Sequence, residues 1–525
     1  ENTIPIVPNQ TYESVATAGY TNQAQNKEYV FLPSNVIGDK GGLSVKVNPT
    51  LAVFISDALN SMVQYPYGCS EQIASKLSSL AIVKRGLNIK NIGDNFSLPN
   101  ATLDGVSYSP DDVIRIGLAR LYQNQSSEGG FSYYSGMAPD PFLTMHVINT
   151  LIDIKNAGYE VNTAALNKAA DYLYRQITQS KTTPTGYQYG YQASAANPFA
   201  ENKELFIAAT YTLGRVPGYS AASNLQGKII TIANDEKFIK DTSSNEALAY
   251  LALVLTNGYS ADLKSKIFNE LENRLVIDSR GSFLSTLNRN RFYEYYETPA
   301  KDTALLLKAF AKDERQSPLL PKILNWILAS RSKDGSWGST NTTVAVIDSL
   351  TDFLLWKKEN LSNFKIQLSL DSKDEGGFTF DKSSILKFFE KFIPMQDIGL
   401  NTIKTVSFTK TNLNNESNNY YYGMLLKYFL PVEKIAPKNE GFSITREFYK
   451  IDDAKSATPI FEAKQGDVLR GHLTITVPES RNFVSVEDFI PAGMELINAN
   501  LATEDQSLSD YDTVDDQGYY DYGYY

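Results

Sequence analysis

Between residues 48 and 358 the chain repeats one turn. Ser126-Ser127-Glu128-Gly129-Gly130-Phe131 resembles Ser332-Lys333-Asp334-Gly335-Ser336-Trp337, and Ser279-Arg280-Gly281-Ser282-Phe283 is a weaker third copy. Each copy sets a glycine before an aromatic residue, just ahead of a helical pattern. Those patterns run near 162–179, 202–213, 243–257, 261–275, 300–312, 318–331 and 342–357. Ser109-Pro110-Asp111-Asp112 caps a helix reaching about Asn124, and Asp140-Pro141 opens another that Gly158 ends. A turn recurring between paired helices predicts hairpins that bury one face against their neighbours. A closed ring of hairpins and a plain helical array both satisfy that pattern.

The period changes on either side. Lys365-Ile366-Gln367-Leu368-Ser369-Leu370 alternates strictly, as a half-buried strand does. Strand-like runs follow at 405–410 and 420–428, closing at Pro431. Before the helices, short strands are predicted at 29–33 and 43–47, flanking a turn at Gly38, Gly41 and Gly42. Residues 1 to about 25 are polar and aperiodic and read as a linker or the tail of an upstream domain. A further unit from about 438 carries predicted strands at 442–449, 467–477 and 483–489, with turns at Gly466 and Pro491-Ala492-Gly493. The last residues are acidic and Tyr-rich, and this sandwich reads as unfinished, so a fragment of a longer chain is expected. The segmentation is therefore 1–47, 48–358, 359–437 and 438–525.

The chain has 525 residues, 42% of them hydrophobic, and a net charge of −10, which gives no reason to expect a nucleic-acid or anionic-membrane partner. No apolar run approaches a transmembrane length, so any membrane association is expected through an anchor outside this chain. The N-terminus does not read as a signal peptide. Two histidines and one cysteine argue against a metal centre and a disulfide framework, and no cofactor is expected.

That single cysteine lies in Tyr65-Pro66-Tyr67-Gly68-Cys69-Ser70-Glu71-Gln72. Asn48-Pro49 is predicted to open the preceding helix as N-cap and N1, with Leu51, Phe54, Ile55, Ala58, Leu59 and Met62 at helical spacing. Pro66 disfavours helix at Tyr65 and ends that run. Gly68 allows a tight turn, and a second helix starts at about Cys69 or Ser70, burying Ile73, Leu77, Leu80 and Ala81. Residues i and i+3 then share a face, so Cys69 and Gln72 are within side-chain reach. A thiol and a carboxamide so placed can condense, losing ammonia, into an internal thioester. The helix N-terminus should favour the Cys69 thiolate, and Glu71 in the first turn reads as local stability.

Pro66 to Gln72 resembles the thioester motif of the α2-macroglobulin and complement family, Gly-Cys-x-Glu-Gln after Pro-Tyr, and Tyr65 makes it most similar to the bacterial α2-macroglobulins. The resemblance is sharp at 65–72 and diffuse elsewhere after residue 25. It implies a multidomain α + β chain: an α/α toroid thioester domain (48–358) inserted in a CUB-like β-sandwich (1–47 and 359–437). A macroglobulin-like domain, in the receptor-binding position of animal members, then follows at 438–525. It also implies a single-turnover protease inhibitor of the periplasm or cell surface. A lysine amine of the target protease attacks the Gln72 carbonyl, Cys69 leaves as thiolate, and the protease is held covalently. Such a bond needs shelter from water. By resemblance Tyr65 is the shield, with Tyr67 beside it and a second residue from the closing domain.

Some complement proteins add a histidine that redirects the acyl group to hydroxyls. The corresponding segment here is near 197–203 and has none, so amines are the expected nucleophiles. His146, on the helix after Asp140-Pro141, reads as a packed helix residue, and His472 lies in a late strand. An adhesin or opsonin-like protein that couples to amines on other cells would share this chemistry, and a non-covalent module whose thioester never forms is a third reading. A papain-like protease would need a different flank around the cysteine. Prenyltransferases and glycosidases of toroid shape would need a metal cluster or a distinct carboxylate pair.

Overall fold

The strands β1 (Gln10–Thr21), β2 (Gln25–Phe31) and β3 (Gly41–Asn48) open the chain and lead into an array of helices. The computed structural model describes residues 10–66, 68–90, 98–179, 201–278, 280–285, 298–332, 334–357, 363–384, 387–414, 419–431, 439, 441–451, 458–477, 484, 486–491 and 493–497. Tyr67, Ser279, most of the 197–203 segment and the acidic end lie outside the described residues.

The array begins with α1 (Ala52–Gln64) and α2 (Ser70–Lys90), then a hairpin of β4 (Ala101–Leu103) and β5 (Val106–Tyr108). Next come α3 (Pro110–Gln123), α4 (Pro141–Asn156), α5 (Thr163–Thr178), α6 (Lys203–Arg215), α7 (Gln226–Asn234), α8 (Asn245–Leu255) and α9 (Ala261–Asn273). After a second hairpin, β6 (Leu275–Asp278) and β7 (Gly281–Leu284), come α10 (Pro299–Lys312), α11 (Leu320–Ala329) and α12 (Thr340–Trp356). The packing closes on itself. α2 lies against α4, α4 against α6, α6 against α8, α8 against α10, α10 against α12, and α12 against α2 again. α1, α3, α5, α9 and α11 each pack on one or two of these. The division follows the residues: α10 is buried without a break from Lys301 to Ala311, as a helix enclosed on all sides must be, whereas α5 buries one stripe through Leu166, Ala169, Ala170 and Leu173.

The repeated turn does the same work at each copy. At the first, Gly129 N–H donates to Ser126 O at 3.0 Å, Ser126 N–H to Gly130 O at 2.8 Å, and Phe131 N–H to the Thr144 hydroxyl of α4 at 2.8 Å. At the copy before α12, Gly335 N–H donates to Ser332 O, Ser332 N–H to Ser336 O, and Trp337 N–H to the Thr343 hydroxyl at 3.1 Å. At the weaker copy the hydroxyl is that of Thr303 in α10, taking Leu284 N–H at 3.0 Å. The glycine is required by its neighbour as well as by its φ. A Cβ on Gly129 (φ 104°) would lie 2.2 Å from the Lys168 carbonyl of α5.

After α12 the chain returns to strands: β8 (Phe364–Leu370), β9 (Lys373–Phe380), β10 (Phe389–Pro394), β11 (Ile403–Asn412) and β12 (Tyr420–Pro431). They pair with the opening strands in two four-stranded sheets, ordered β1-β12-β3-β10 and β2-β11-β8-β9. Leu43, Val45, Val47, Ile366, Leu368, Phe408, Tyr420 and Tyr422 belong to the core these sheets share. On β12 the alternation of side chains divides the work. Tyr420 and Tyr422 enter that core, while Tyr421 turns into the helical core, stacked on Tyr20 at 5.6 Å and edge-on to Phe54 at 6.4 Å.

Several expectations need correcting. Residues 10–21 are not a linker: β1 runs antiparallel to β12 along its whole length, and this long-range ladder gives order to a polar segment that has no apolar period of its own. Gly38–Gly42 does not join paired strands, because β2 and β3 lie in different sheets, and Gly41 and Gly42 are the first residues of β3. Asn48-Pro49 does not cap α1. Asn48 is the last residue of β3, paired with Tyr421, and the Thr50 hydroxyl takes the N–H of Ala52, where the helix begins. β9 and β10 were not anticipated.

The chain divides into two units, 1–436 and 437–525. In the second, β13 (Ser443–Lys450) and β14 (Leu469–Thr476) form an antiparallel pair. The strand expected at 483–489 is absent at its described residues, 484 and 486–489, which have no ladder partner there. Among the described residues no helix is long and apolar enough to cross a membrane.

Candidate functional site

α1 ends at Gln64, and Tyr65 leaves it in extended conformation (φ −60°, ψ 123°), as the following Pro66 requires. α2 starts at Ser70, with Ile73 N–H donating to Cys69 O at 2.9 Å, so Cys69 occupies the N-cap and Gln72 the third helical position. Cys69 N–H donates to Gln72 Oε1 at 3.1 Å. This is one half of a capping box, with glutamine in its usual place and a thiol where serine or threonine would stand. The Cys-x-x-Gln spacing is thus a stable way to begin a helix, and it folds the Gln72 carboxamide back onto Cys69.

The expectation of an acidic thiol is not met. Burial pushes the Cys69 thiol above its ordinary value, aided by the Glu71 carboxylate, and outweighs the N–H groups of Gln72 and Glu71 that act in the opposite direction. Cys69 is 8% exposed. A buried thiol suits a bond that must be kept from water better than it suits a free nucleophile.

The head of α2 is held from all sides. Ser70 N–H donates to Tyr133 O at 3.1 Å, and the Asn124 amide donates to Ser70 Oγ at 2.8 Å, both from the chain around the first repeated turn. Glu71 points the other way and joins three helices. Its carboxylate accepts from Ser75 Oγ at 2.8 Å and from Thr340 Oγ1 of α12 at 2.8 and 3.0 Å, and it lies 4.0 Å from His146 Nε2 of α4. His146 Nε2 is also 2.8 Å from Ser75 Oγ. These contacts bear on both readings: Glu71 is a packing hub, and His146 is a helix residue committed to it.

Burial pulls the His146 imidazole below its ordinary value, with Glu71 opposing. A native state that refuses a proton its unfolded chain accepts loses stability as pH falls below about 6.5, by at most about 1.4 kcal/mol per pH unit for one group. Urea unfolding followed from about pH 7 to pH 5 should therefore be flatter for His146→Gln than for the parent chain. Equal slopes would show that another group carries the acid sensitivity.

Tyr65 is half-buried, Pro66 and Gly68 are exposed, and the side chain of Tyr67 is not described. The β4–β5 hairpin stands beside this turn. A Cβ on Gly68 would lie 3.6 Å from Asp104 Oδ1, and Asp104, at the hairpin's tip, is tied to Arg120 of α3 at 2.5 Å. Sequence reading missed Lys76, one turn beyond Gln72 on α2. Its ammonium donates to Tyr65 O at 2.8 Å and to Thr102 O of β4. Burial pulls it down to about 8.

Inside the closed circuit of helices lies a cavity of about 300 Å³. Ion pairs cross it or line it: Asp153–Arg215 at 2.6 Å between α4 and α6, Glu246–Lys301 at 2.7 Å between α8 and α10, and Lys308–Asp348 between α10 and α12. Arg85 of α2 reaches Asp352 of α12 at 3.4 Å. Charged groups taken out of water in this way are paired with one another, although Arg85 Nε, Asp348 Oδ1 and Asp352 Oδ2 make no hydrogen bond.

Fold and site together define a class: a mixed α and β chain whose helical array sets a Cys-x-x-Gln pair, with its cysteine buried, at the head of one helix. Residues 441–525 match the bacterial alpha-2-macroglobulin MG10 domain. The alpha-2-macroglobulin of Xylella fastidiosa (strain Temecula1 / ATCC 700964) is 23% identical over 481 residues, covering 90% of this chain and 26% of that protein. The alpha-2-macroglobulin of Escherichia coli (strain K12) is 26% identical over 279 residues, covering 49% of this chain and 16% of that protein. Among solved structures, native alpha-2-macroglobulin from Escherichia coli, from domain MG7 to the C-terminus, aligns with a TM-score of 0.47 at 19% identity, covering 89% of this chain and 64% of that one. The chain is similar to the bacterial alpha-2-macroglobulins over most of its length, and it spans about a quarter of the length of the Xylella relative.

Proposed function

We propose that this chain carries an internal Cys69–Gln72 thioester and serves as the covalent-capture part of an alpha-2-macroglobulin-type protease inhibitor at the periplasm or cell surface. On this reading the closed circuit α2-α4-α6-α8-α10-α12 is an α/α toroid thioester domain, inserted in a CUB-like sandwich made of the strands before and after it. The observation that carries the proposal is the 3.1 Å hydrogen bond from Cys69 N–H to Gln72 Oε1. It holds the side-chain carbonyl at the head of α2, where the thioester carbonyl would stand, next to a buried sulfur.

The reaction follows from that geometry. Condensation joins Cys69 Sγ to the Gln72 side-chain carbon and releases ammonia. An incoming lysine amine adds to that carbon, the C–S bond breaks, and the amine nitrogen gives up a proton as the sulfur leaves. The products are an isopeptide-type amide at Gln72 and one free thiol. The protein is consumed in one turnover, so this is capture rather than enzymatic catalysis. The backbone N–H of Cys69, already aimed at the carbonyl oxygen, would stabilise the oxyanion that forms on the way.

Methylamine tests this directly. Treated with it, the full chain is expected to release one thiol and to gain one methylamine, mapped by peptide mass to Gln72. Release of the thiol with no adduct, or an adduct at another residue, would refute the assignment. Target proteases are expected to be coupled through lysines in the full-length protein once it is cleaved upstream of this portion. Coupling to amines on other cells without any cleavage would favour the adhesin or opsonin-like reading.

A further inference from the structure

Lys76 lies four residues after Gln72, on the same face of α2 and one turn deeper. Helical side chains lean toward the N-terminus, so its stem runs back along Gln72 toward the turn that carries Cys69. The ammonium stops on two backbone carbonyls. One belongs to Tyr65, the first residue beyond α1, and the other to Thr102, in the middle of β4. Only 2% of Lys76 is exposed. Among the described residues no carboxylate pairs with it, since Asp104, the acid nearest by charge, is engaged by Arg120.

Such an arrangement is a poor way to stabilise a helix. An ammonium taken out of water and met by carbonyls alone recovers less than its desolvation costs. Two of its neighbours on that face, Ile73 and Leu80, are apolar, Gln72 and Ser79 are polar, and a methionine has a stem of similar length. What the lysine does accomplish is a tie. β4 is already fastened to α1, where Thr102 Oγ1 donates to Gln64 Oε1 at 3.0 Å, and to α3 through the Asp104–Arg120 pair. Lys76 adds the third fastening, to α2 itself, and at the same atom it pins the exit of the Tyr65 turn.

We propose that Lys76 is a positioning residue whose ammonium holds Tyr65 and β4 closed across the Cys69–Gln72 pair, keeping water from the thioester. The inference rests on the thioester reading above. It would give the burial of Cys69 a mechanical basis: the turn stays shut because a buried charge bridges the Tyr65 carbonyl to the neighbouring hairpin, and removing the bridge frees both.

The test compares the full chain with Lys76→Met, which keeps the stem and loses the donors, and Lys76→Arg, which keeps charge and donors. Spontaneous thiol release in plain buffer is expected to accelerate about tenfold or more in Lys76→Met, as loss of charge-assisted hydrogen bonds implies, and to stay within about threefold of the parent in Lys76→Arg. The urea midpoint of Lys76→Met should not fall, because an apolar residue replaces an unpaired charge. A structural residue would instead lose stability along with protection. Equal thiol-release rates in parent and Lys76→Met would overturn the proposal while leaving the thioester in place. Should the parent chain hold no thioester, the functional reading falls, and hydrogen exchange still decides the role of Lys76. Exchange must rise around Tyr65 and Thr102 in Lys76→Met and not in Lys76→Arg; unchanged exchange there overturns it. If Lys76→Met does not fold, Lys76→Gln, with one amide donor, is expected to fall between the parent and full loss, and parent-like protection in it refutes the tie.

Discussion

Replacing Cys69 with alanine abolishes amine incorporation and leaves the fold intact. The expected loss is complete, because no other cysteine can supply the leaving group. The fold survives because the head of α2 is fastened elsewhere, by Tyr133 and Asn124 at Ser70 and by Thr340 and Ser75 at Glu71. Removing one buried sulfur should cost about 1–2 kcal/mol, small beside those contacts. Gln72→Ala is expected to abolish incorporation equally and to cost on the order of 0.5–2 kcal/mol through the lost capping bond. Mass analysis after methylamine treatment, with urea unfolding beside it, checks both halves. Residual incorporation at Gln72 in Cys69→Ala would mean that the amide is formed without a thioester.

Lys308→Met is expected to give the largest change in stability, roughly 3–5 kcal/mol, the range for stripping one partner from a buried ion pair. Lys308 is buried and bound to Asp348, with Asp352 at 3.7 Å. Burial opposes its charge, yet the carboxylates of Asp348 and Asp352 outweigh this and raise it above the ordinary lysine value. The same partnership, with Arg85, holds Asp348 well below the usual carboxylate range against its own burial. Without Lys308 two acids of α12 face the interior with less compensation, and the α10–α12 seam loosens. A double variant with Asp348→Asn should recover part of the loss, the sign of direct coupling. Urea denaturation of the parent, both single variants and the pair supplies the measurement. Additive losses would place the effect outside the ion pair.

The local geometry of the candidate site was legible in the sequence because it rests on neighbouring residues. A Cys-x-x-Gln spacing after Pro and Gly marks a helix start, so the head of α2 could be read from local rules. The caps at Ser109 and Asp140 were legible for the same reason. The Gly-aromatic turns were legible as a repeat, although their meaning, a backbone N–H given to a threonine of the following helix, needs coordinates. What was not legible depends on distant partners. β1 is polar and earns its strand from β12 some four hundred residues later. Asn48 looked like a cap because nothing local shows that Tyr421 will pair with it. Lys76 was not singled out, since the carbonyls that hold it come from the end of α1 and from β4. The thiol's basicity also went the wrong way: a helix N-terminus is visible in sequence, and the burial that overrides it is not.

The most direct test of the central claim is the intact mass of the untreated, natively purified full chain. The account predicts a mass short of the sequence by one ammonia and no titratable thiol. The full sequence mass with one free thiol at Cys69 would contradict it, for then no acyl bond exists for an amine to attack.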